Sequence, residues 1–340
     1  MKATQTPVLQ AADVQIGYRS KRGAKAVVAE HIDVDLHAGE LICLLGPNGS
    51  GKSTLIRTLA GMQPMLDGNI SLFGKHIAEL SVKEIAKRLS TVLTDRVTIG
   101  NLTVYTMVAF GRAPYTGWLG SLSQEDEEVV RRAIEAAGLR AFVHRDVARL
   151  SDGERQKVMI ARALAQDTPV ILLDEPTAHL DLPNRVEIIR LLRRLAHETG
   201  KGILLSTHEL DLALKAADRI WLMNRRQELI SGVPEDLVLN GTFEQVFKQD
   251  SFDFDRATGS FRLHQSEGRE VSLAGDAVAV FWTRRALERE GFRVLEEGGK
   301  ELGITVSSGP EAYRWTVQDE EEQKECASVR ELIAVLRSRK

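Results

Sequence analysis

The amino-acid sequence predicts an α/β fold: a mainly parallel sheet joined to an antiparallel β-subdomain, an inserted helical subdomain and a small C-terminal α/β module. Three observations lead there. Apolar runs at residues 41–45, 170–173 and 203–205 have the length and lack of polar interruption of strands buried on both faces. The first runs into GPNGSGKST at residues 46–54, which fits G-x-x-x-x-G-K-[ST] without a gap. From about residue 94 to 166 the strand signal stops and apolar residues recur at helical spacing.

Taken in order, residues 8–36 alternate apolar and polar positions, as in Val14, Ile16 and Tyr18, then Val28, Ile32, Val34 and Leu36. Two antiparallel strands are expected there. The basic cluster Arg19, Lys21, Arg22 and Lys25 reads as a solvated turn between them, with phosphate steering as the alternative. After the strand at 41–45, residues 52–60 place Leu55, Ile56 and Leu59 on one side of a helix. Asp67 and Gly68 form a turn before a strand over 69–74. A strand over 89–93 runs into Thr94, Asp95 and Arg96.

The helical subdomain, about residues 95–166, carries helices over 104–110, 125–137 and 154–164, the last capped by Ser151. Residues 111–119 form a loop whose Tyr115 and Trp118 either close a local core or anchor an interface. The α/β core then resumes at 170–173, 203–205 and 220–223.

The loop at 46–54 has a chemical reason for its spacing. Gly46, Gly49 and Gly51 let the main chain curl so that N–H groups converge on phosphate oxygens, and the helix behind adds its positive end. Pro47, Asn48 and Ser50 complete the cradle. Lys52 reaches the β- and γ-phosphates, Ser53 suits a Mg²⁺ ligand and Thr54 contacts the α-phosphate. A plain glycine-rich turn is the rival reading.

At 170–175 four branched apolar residues end in Asp174 and Glu175, at the carboxyl edge where open α/β sheets collect ligands. Asp174 then faces the Mg²⁺ and Glu175 the attacking water. A solvated acidic turn is the rival here.

The run Leu150, Ser151, Asp152, Gly153, Glu154, Arg155, Gln156 opens a helix, and by physics alone it is an ordinary capped start. It also resembles the LSGGQ-type signature of the nucleotide-binding subunits of ATP-binding cassette (ABC) transporters, which other P-loop NTPases lack. That resemblance implies a P-loop NTPase core of ABC type. It assigns Tyr18 to adenine stacking, although the residue reads equally as an ordinary strand tyrosine. It makes residues 178–181, ending in Asp181, the loop that crosses to a partner subunit. His208, after the strand at 203–205, matches the switch histidine on the γ-phosphate.

Two copies are then expected to pair head to tail as a homodimer. Each ATP lies between one phosphate loop and Ser151, Gly153 and Glu154 of the other copy, with Mg²⁺ beside it. Integral membrane permease subunits are the implied partners, with an indirect link to a substrate-binding protein. The residues around 101–120 resemble the importers of iron siderophores, haem and cobalamin.

One departure stands out: where the family has a glutamine after the strand at 89–93, this chain has Thr94, with Asp95 as the alternative oxygen donor. Coupling then uses another group or is altered. Asp152 replaces the commoner glycine of the signature.

The division expected is an ATPase domain over residues 1–250 and an accessory module over 251–340. The module reads as a hairpin at 252–263, then strand, helix and strand at 278–281, 286–290 and 292–295. Strands at 304–306 and 313–317 and a helix at 329–336 follow. The acidic run at 319–322 is a solvated loop. Regulation or dimer bracing is the expected role.

A net charge of −3 provides no whole-chain attraction to nucleic acid, and no run reaches the roughly 20 apolar residues of a membrane span. The opening residues lack a signal-peptide core, so a cytoplasmic protein, peripheral at the inner face of the membrane, is expected. Cys43 and Cys326 read as reduced thiols. A soluble ABC-type ATPase would carry two cassettes or a coiled coil, and a metabolic P-loop kinase has no use for residues 150–156 or His208. Export rather than import stays open.

Overall fold

The computed structural model describes residues 6–19, 25–93, 102–117, 120–224, 226–248, 252–256, 259–263, 268–295, 302–309, 312–319 and 322–338. The chain divides into two compact units: Met1–Lys248 with Phe254–Ser260, and Gln249–Asp253 with Phe261–Lys340.

In the first unit, β1 (Leu9–Arg19) and β2 (Lys25–Leu36) pair antiparallel, as the alternation predicts. Both are bulged. Asp13 and His31 adopt positive φ at the irregularities, and His31 Nδ1 meets Asp13 Oδ1 at 2.8 Å. β3 (Leu41–Leu45) is buried at every residue and leads through the glycine loop into α1 (Lys52–Leu59). β4 (Asp67–Leu72) and β5 (Lys75–His76) complete a sheet of order β2-β1-β4-β5. The sequence reading placed a turn at 67–68 and a strand to 74. Instead β4 begins at Asp67, and the turn is Phe73-Gly74, both at positive φ.

After α2 (Val82–Ala86) and β6 (Leu89–Val92) the helical insertion begins with α3 (Val104–Ala109), α4 (Gln124–Ala136) and α5 (Asp152–Ala165). Each helix starts on a hydroxyl cap, Thr103, Ser123 and Ser151. Gly111 lets the chain press onto α5, because a Cβ there would lie 2.3 Å from the Arg162 carbonyl oxygen. Buried Arg112 donates to Asp126 Oδ1 (2.8 Å) and to the Ala165 carbonyl (2.9 Å). Tyr115 stacks on that guanidinium at 3.9 Å, with the Lys87 ammonium 5.2 Å from the same ring. Tyr115 thus packs locally; Trp118, Leu119, Thr94, Asp95, Arg96, Lys21 and Arg22 lie outside the described residues.

The core resumes with β7 (Val170–Leu173), α6 (Leu182–Thr199), β8 (Gly202–Ser206), α7 (Leu210–Ala216), β9 (Arg219–Met223), β10 (Leu229–Gly232), α8 (Pro234–Leu239) and α9 (Thr242–Phe247). The main sheet has order β10-β9-β3-β8-β7-β6, parallel except for the β10 edge. This order decides where the chemistry goes. Adjacent strands β3, β8 and β7 all point their carboxyl ends the same way, so the three loops that follow them share one edge of the sheet. Buried Cys43 lies on β3, where burial pushes its thiol up to about 12, and it forms no disulfide.

A hairpin of β11 (Phe252–Asp255) and β12 (Ser260–Leu263) follows. The second unit contains β13 (Glu270–Gly275), α10 (Ala277–Arg289), β14 (Arg293–Leu295), β15 (Gly303–Ser308), β16 (Tyr313–Gln318), β17 (Gln323–Cys326) and α11 (Val329–Arg337). Its sheet has order β14-β13-β15-β16-β17 and its own core, in which Val271, Ile304, Val317 and Leu332 pack together. Trp315 donates its indole N–H to Thr283 Oγ1 at 2.7 Å. One expectation fails here. Residues 278–281 are helical, because Asp276 caps the N–H groups of Val278 and Ala279 and starts α10 early. The strands β13 and β17 are additions to the sequence reading.

Replacing Arg112 by Ala leaves the Asp126 carboxylate without its buried cation, which is expected to destabilise the first unit by about 3 kcal/mol. Urea denaturation measures this. An exposed control, Arg131→Ala, is expected to change little, and equal effects from the two would contradict the anchoring role.

Candidate functional site

Gly46 and Gly51 hold conformations that other residues resist, at φ +155° and +106°. A Cβ on Gly46 would lie 2.5 Å from the Met223 carbonyl oxygen, and one on Gly51 would lie 2.5 Å from Val28 Cγ1. Gly49, also at positive φ, and Asn48 form the exposed tip. Because Gly51 provides no side-chain cap, the first N–H groups of α1 remain available to an anion. Among the described residues, buried Ser50 Oγ has no hydrogen-bond partner. Lys52 folds back over this loop, donating from Nζ to the carbonyls of Gly46 (2.8 Å) and Pro47 (3.1 Å).

Burial pushes the Lys52 ammonium below the ordinary lysine range, while Glu175 and Asp174 push it back up. Its charge is therefore held close to two carboxylates. Asp174, 2% exposed, accepts from Ser53 Oγ (3.0 Å) and Ser206 Oγ (2.7 Å) through the same Oδ1. Ser206 Oγ in turn accepts from the N–H of Glu175 (2.9 Å). Glu175 has φ +49°, a left-handed conformation that costs a non-glycine residue roughly 1 kcal/mol or more, and Ser206 helps hold it there. His208 Nε2 lies 2.7 Å from Glu175 Oε1.

The loop, the acidic strand end and His208 therefore meet at one sheet edge. Tyr18 comes close as well: its hydroxyl lies 3.1 Å from Thr54 Oγ1, with the residue 55% exposed. That is compatible with either reading of its ring. Thr94 falls outside the described residues. Ser206 was missed by the sequence reading, although it directly precedes Thr207 and His208; only the register of β7 on β8 reveals its bridging role.

A second cluster lies on α5 and α6. Ser151 and Glu154 form a capping box: Glu154 N–H donates to Ser151 Oγ (3.3 Å), and Glu154 Oε2 accepts from Ser151 N (2.8 Å) and Oγ (2.9 Å). The backbone N–H of Ser151 holds the Glu154 carboxyl below the usual carboxylate range. The S-x-x-E spacing of Ser151 and Glu154 is the local signal of this partnership. Asp181 caps α6 and accepts from Asn184 N (3.1 Å) and Nδ2 (2.6 Å). Asn184 sits against Gly153, where a Cβ would lie 2.6 Å from its amide. The hydrogen bonds of Ser151, Glu154 and Asp181 stay within this cluster.

The first cluster fits a nucleotide triphosphate: it has a cradle that side chains would fill, an orphaned hydroxyl, an uncapped helix start and a buried cation. Ser53 Oγ and Asp174 Oδ1 are hard oxygen donors of the kind Mg²⁺ takes. Among the described residues no group of three or more His, Cys, Asp or Glu could hold a metal by itself, so phosphate oxygens would have to share the coordination.

Comparisons with known proteins agree with this geometry. The ABC transporter family matches residues 29–178, and a family described as the iron ABC transporter C-terminal domain matches residues 268–337. An uncharacterised ABC transporter ATP-binding protein of Methanocaldococcus jannaschii is 36% identical over 256 residues, 75% of this chain and 87% of the relative. The petrobactin import ATP-binding protein FpuC of Bacillus anthracis is 38% identical, over 64% of this chain and 80% of its own. The ferric enterobactin transport ATP-binding protein FepC of Escherichia coli is 34% identical, over 70% and 86%. Among solved structures, a dimeric bacterial ABC transporter cassette superposes with a TM-score of 0.58 at 26% identity, covering 66% of this chain and 98% of that one. The same cassette is known in a post-hydrolysis state bound to ADP and phosphate, with a TM-score of 0.57.

Gly46→Ala is expected to weaken ATP binding at least about 10-fold, since the added methyl meets main chain rather than a movable side chain. Titration with a fluorescent ATP analogue measures it, with circular dichroism reporting the fold. Wild-type affinity in a folded variant would contradict the cradle.

Proposed function

Because this chain belongs to the ABC transporter ATP-binding proteins, we propose that it couples ATP hydrolysis to a membrane importer for iron-siderophore, haem or cobalamin-type solutes. The protein is an ATPase. The observation that carries its catalytic reading is the 2.7 Å contact between His208 and Glu175, beside the Ser53–Asp174 pair and the Lys52 ammonium.

In this reading Lys52 leaves the Gly46 and Pro47 carbonyls for β- and γ-phosphate oxygens. The loop N–H groups and Thr54 bind the remaining phosphates. Ser53 and Asp174 would hold Mg²⁺, which supplies positive charge against the phosphate chain when bound. Glu175 takes a proton from water as the water oxygen bonds to the γ-phosphorus. The bond to the β-phosphate oxygen breaks, and ADP and phosphate leave. His208 holds Glu175 through its ring and the γ-phosphate through its position at the same edge.

The separation into two clusters supports a composite site. Ser151, Gly153, Glu154 and Asp181 would serve the nucleotide of a second copy, in a head-to-tail homodimer related by a two-fold axis. Loss of the γ-phosphate then opens the dimer and moves the attached permease. Among the described residues no helix is long and apolar enough to cross a membrane, which fits a subunit held at the inner face by its permease. A substrate-binding protein would connect only through that permease. The accessory module over residues 251–340 is assigned to regulation or to bracing the dimer.

Glu175→Gln is expected to bind ATP and dimerise yet lose roughly 100-fold or more of its turnover. Steady-state phosphate release and light scattering with ATP test this. Near-normal hydrolysis would reject Glu175 as the base.

A further inference from the structure

His208 and Glu175 come from different loops, and their contact requires those loops to keep a fixed spacing. Three cross-ties span them. Ser206 Oγ joins Asp174 Oδ1 to the Glu175 N–H. The hydroxyls of Thr177 and Thr207 lie 3.5 Å apart, and Thr207 Oγ1 also accepts from the N–H of Glu209 at 3.0 Å. The third tie comes from Arg185, in the first turn of α6. Its Nε donates to the Leu180 carbonyl at 2.6 Å and its Nη1 donates to Glu209 Oε1. Arg185 and Glu209 are both partly buried, with side chains 32% and 28% exposed.

We propose that Arg185, through Glu209, is a positioning residue for ATP hydrolysis: it clamps the switch loop at 207–209 to the loop at 177–181, and so sets His208 against Glu175. The two ends of its fork do different work. One end holds the loop that follows the catalytic carboxylate, and the other holds the residue next to the histidine. A guanidinium suits this because its donors are rigidly spaced, so a single side chain fixes the distance between a carbonyl and a carboxylate acceptor. An exposed ion pair alone would contribute little. Here the stake is geometry, since a displacement of about 1 Å at a reacting centre can cost up to about 100-fold in rate.

The clamp also reaches the second cluster. The residue before Arg185 is Asn184, bound to Asp181 and seated against Gly153. One turn of helix therefore touches the switch loop, the crossing loop and the signature helix. Lys157 and Glu187, 2.5 Å apart, add a second tie between α5 and α6.

This proposal rests on the ATPase reading given above, and its test separates the two. Single-turnover hydrolysis of γ-labelled ATP with Mg²⁺ is measured on the full chain for wild type, Arg185→Ala, Arg185→Lys, Glu209→Ala, His208→Ala and the doubles of Arg185→Ala and Glu209→Ala with His208→Ala. Arg185→Ala and Glu209→Ala are each expected to slow hydrolysis about 10-fold while ATP affinity stays within about 2-fold of wild type. In the His208→Ala background each is expected to add less than about 2-fold, because the group being positioned is gone. Arg185→Lys, which keeps the charge but not the fork, is expected to recover only part of the rate.

Wild-type rates in both single variants would overturn the proposal. So would equal losses with and without His208, the pattern of a merely structural contribution. Thermal melting monitors folding, and Glu209→Ala removes the acceptor of the clamp without altering α6 should Arg185→Ala fold poorly. A wild-type chain that hydrolyses no ATP would sink the reading of the site as well. Wild-type hydrolysis abolished by Glu175→Gln but untouched at Arg185 and Glu209 would sink the clamp alone.

Discussion

A buried ammonium beside a buried carboxylate constrains everything at the nucleotide edge. Lys52 is 6% exposed and Asp174 is 2% exposed, and each would be costly to bury without partners. The glycine loop exposes carbonyls for Lys52, and two hydroxyls satisfy Asp174. Both arrangements require adjacent parallel strands, since β3 delivers the loop, β7 the carboxylates and β8 the serine and histidine. A phosphate chain with its counter-ion can exchange for these internal contacts group by group. The site is thus held in a form close to what it would bind, which is the sense of electrostatic preorganisation.

Much of this could be read from the sequence because strong local signals carried it. The apolar runs of β3, β7 and β8 have no polar interruption, and GPNGSGKST permits few conformations. Ser151 announced its helix. What escaped depended on partners distant in sequence or on weak periodicity. Residues 278–281 are β-branched and aromatic enough to read as strand, yet the Asp276 cap starts a helix. β17 is a mostly exposed edge strand with little apolar signal, so nothing local marks it. The bridging of Ser206 and the fork of Arg185 exist only once β8 lies beside β7 and α6 packs behind the crossing loop. Thr94 and Asp95, the departure from the family pattern, lie outside the described residues.

The two clusters differ in a way that bears on energy transfer. The first is a buried, self-satisfied set of charges at a sheet edge. The second is a capped helix start with a close-packed glycine, its polar side chains bonded to one another. If these are the two halves of the shared site proposed above, a subunit must associate to act, and hydrolysis and association become one event. The first turn of α6 joins the halves within each chain, which offers a route for coupling that needs no glutamine at position 94.

Complementation between two defective chains tests the composite site most directly. Lys52→Ala disables a phosphate loop and Ser151→Arg blocks a signature, so each homodimer should be inactive. A mixed dimer pairs the intact loop of one chain with the intact signature of the other. The account expects ATP hydrolysis to reappear on mixing, well above the sum of the separate proteins; a mixture no more active than its parts would contradict it.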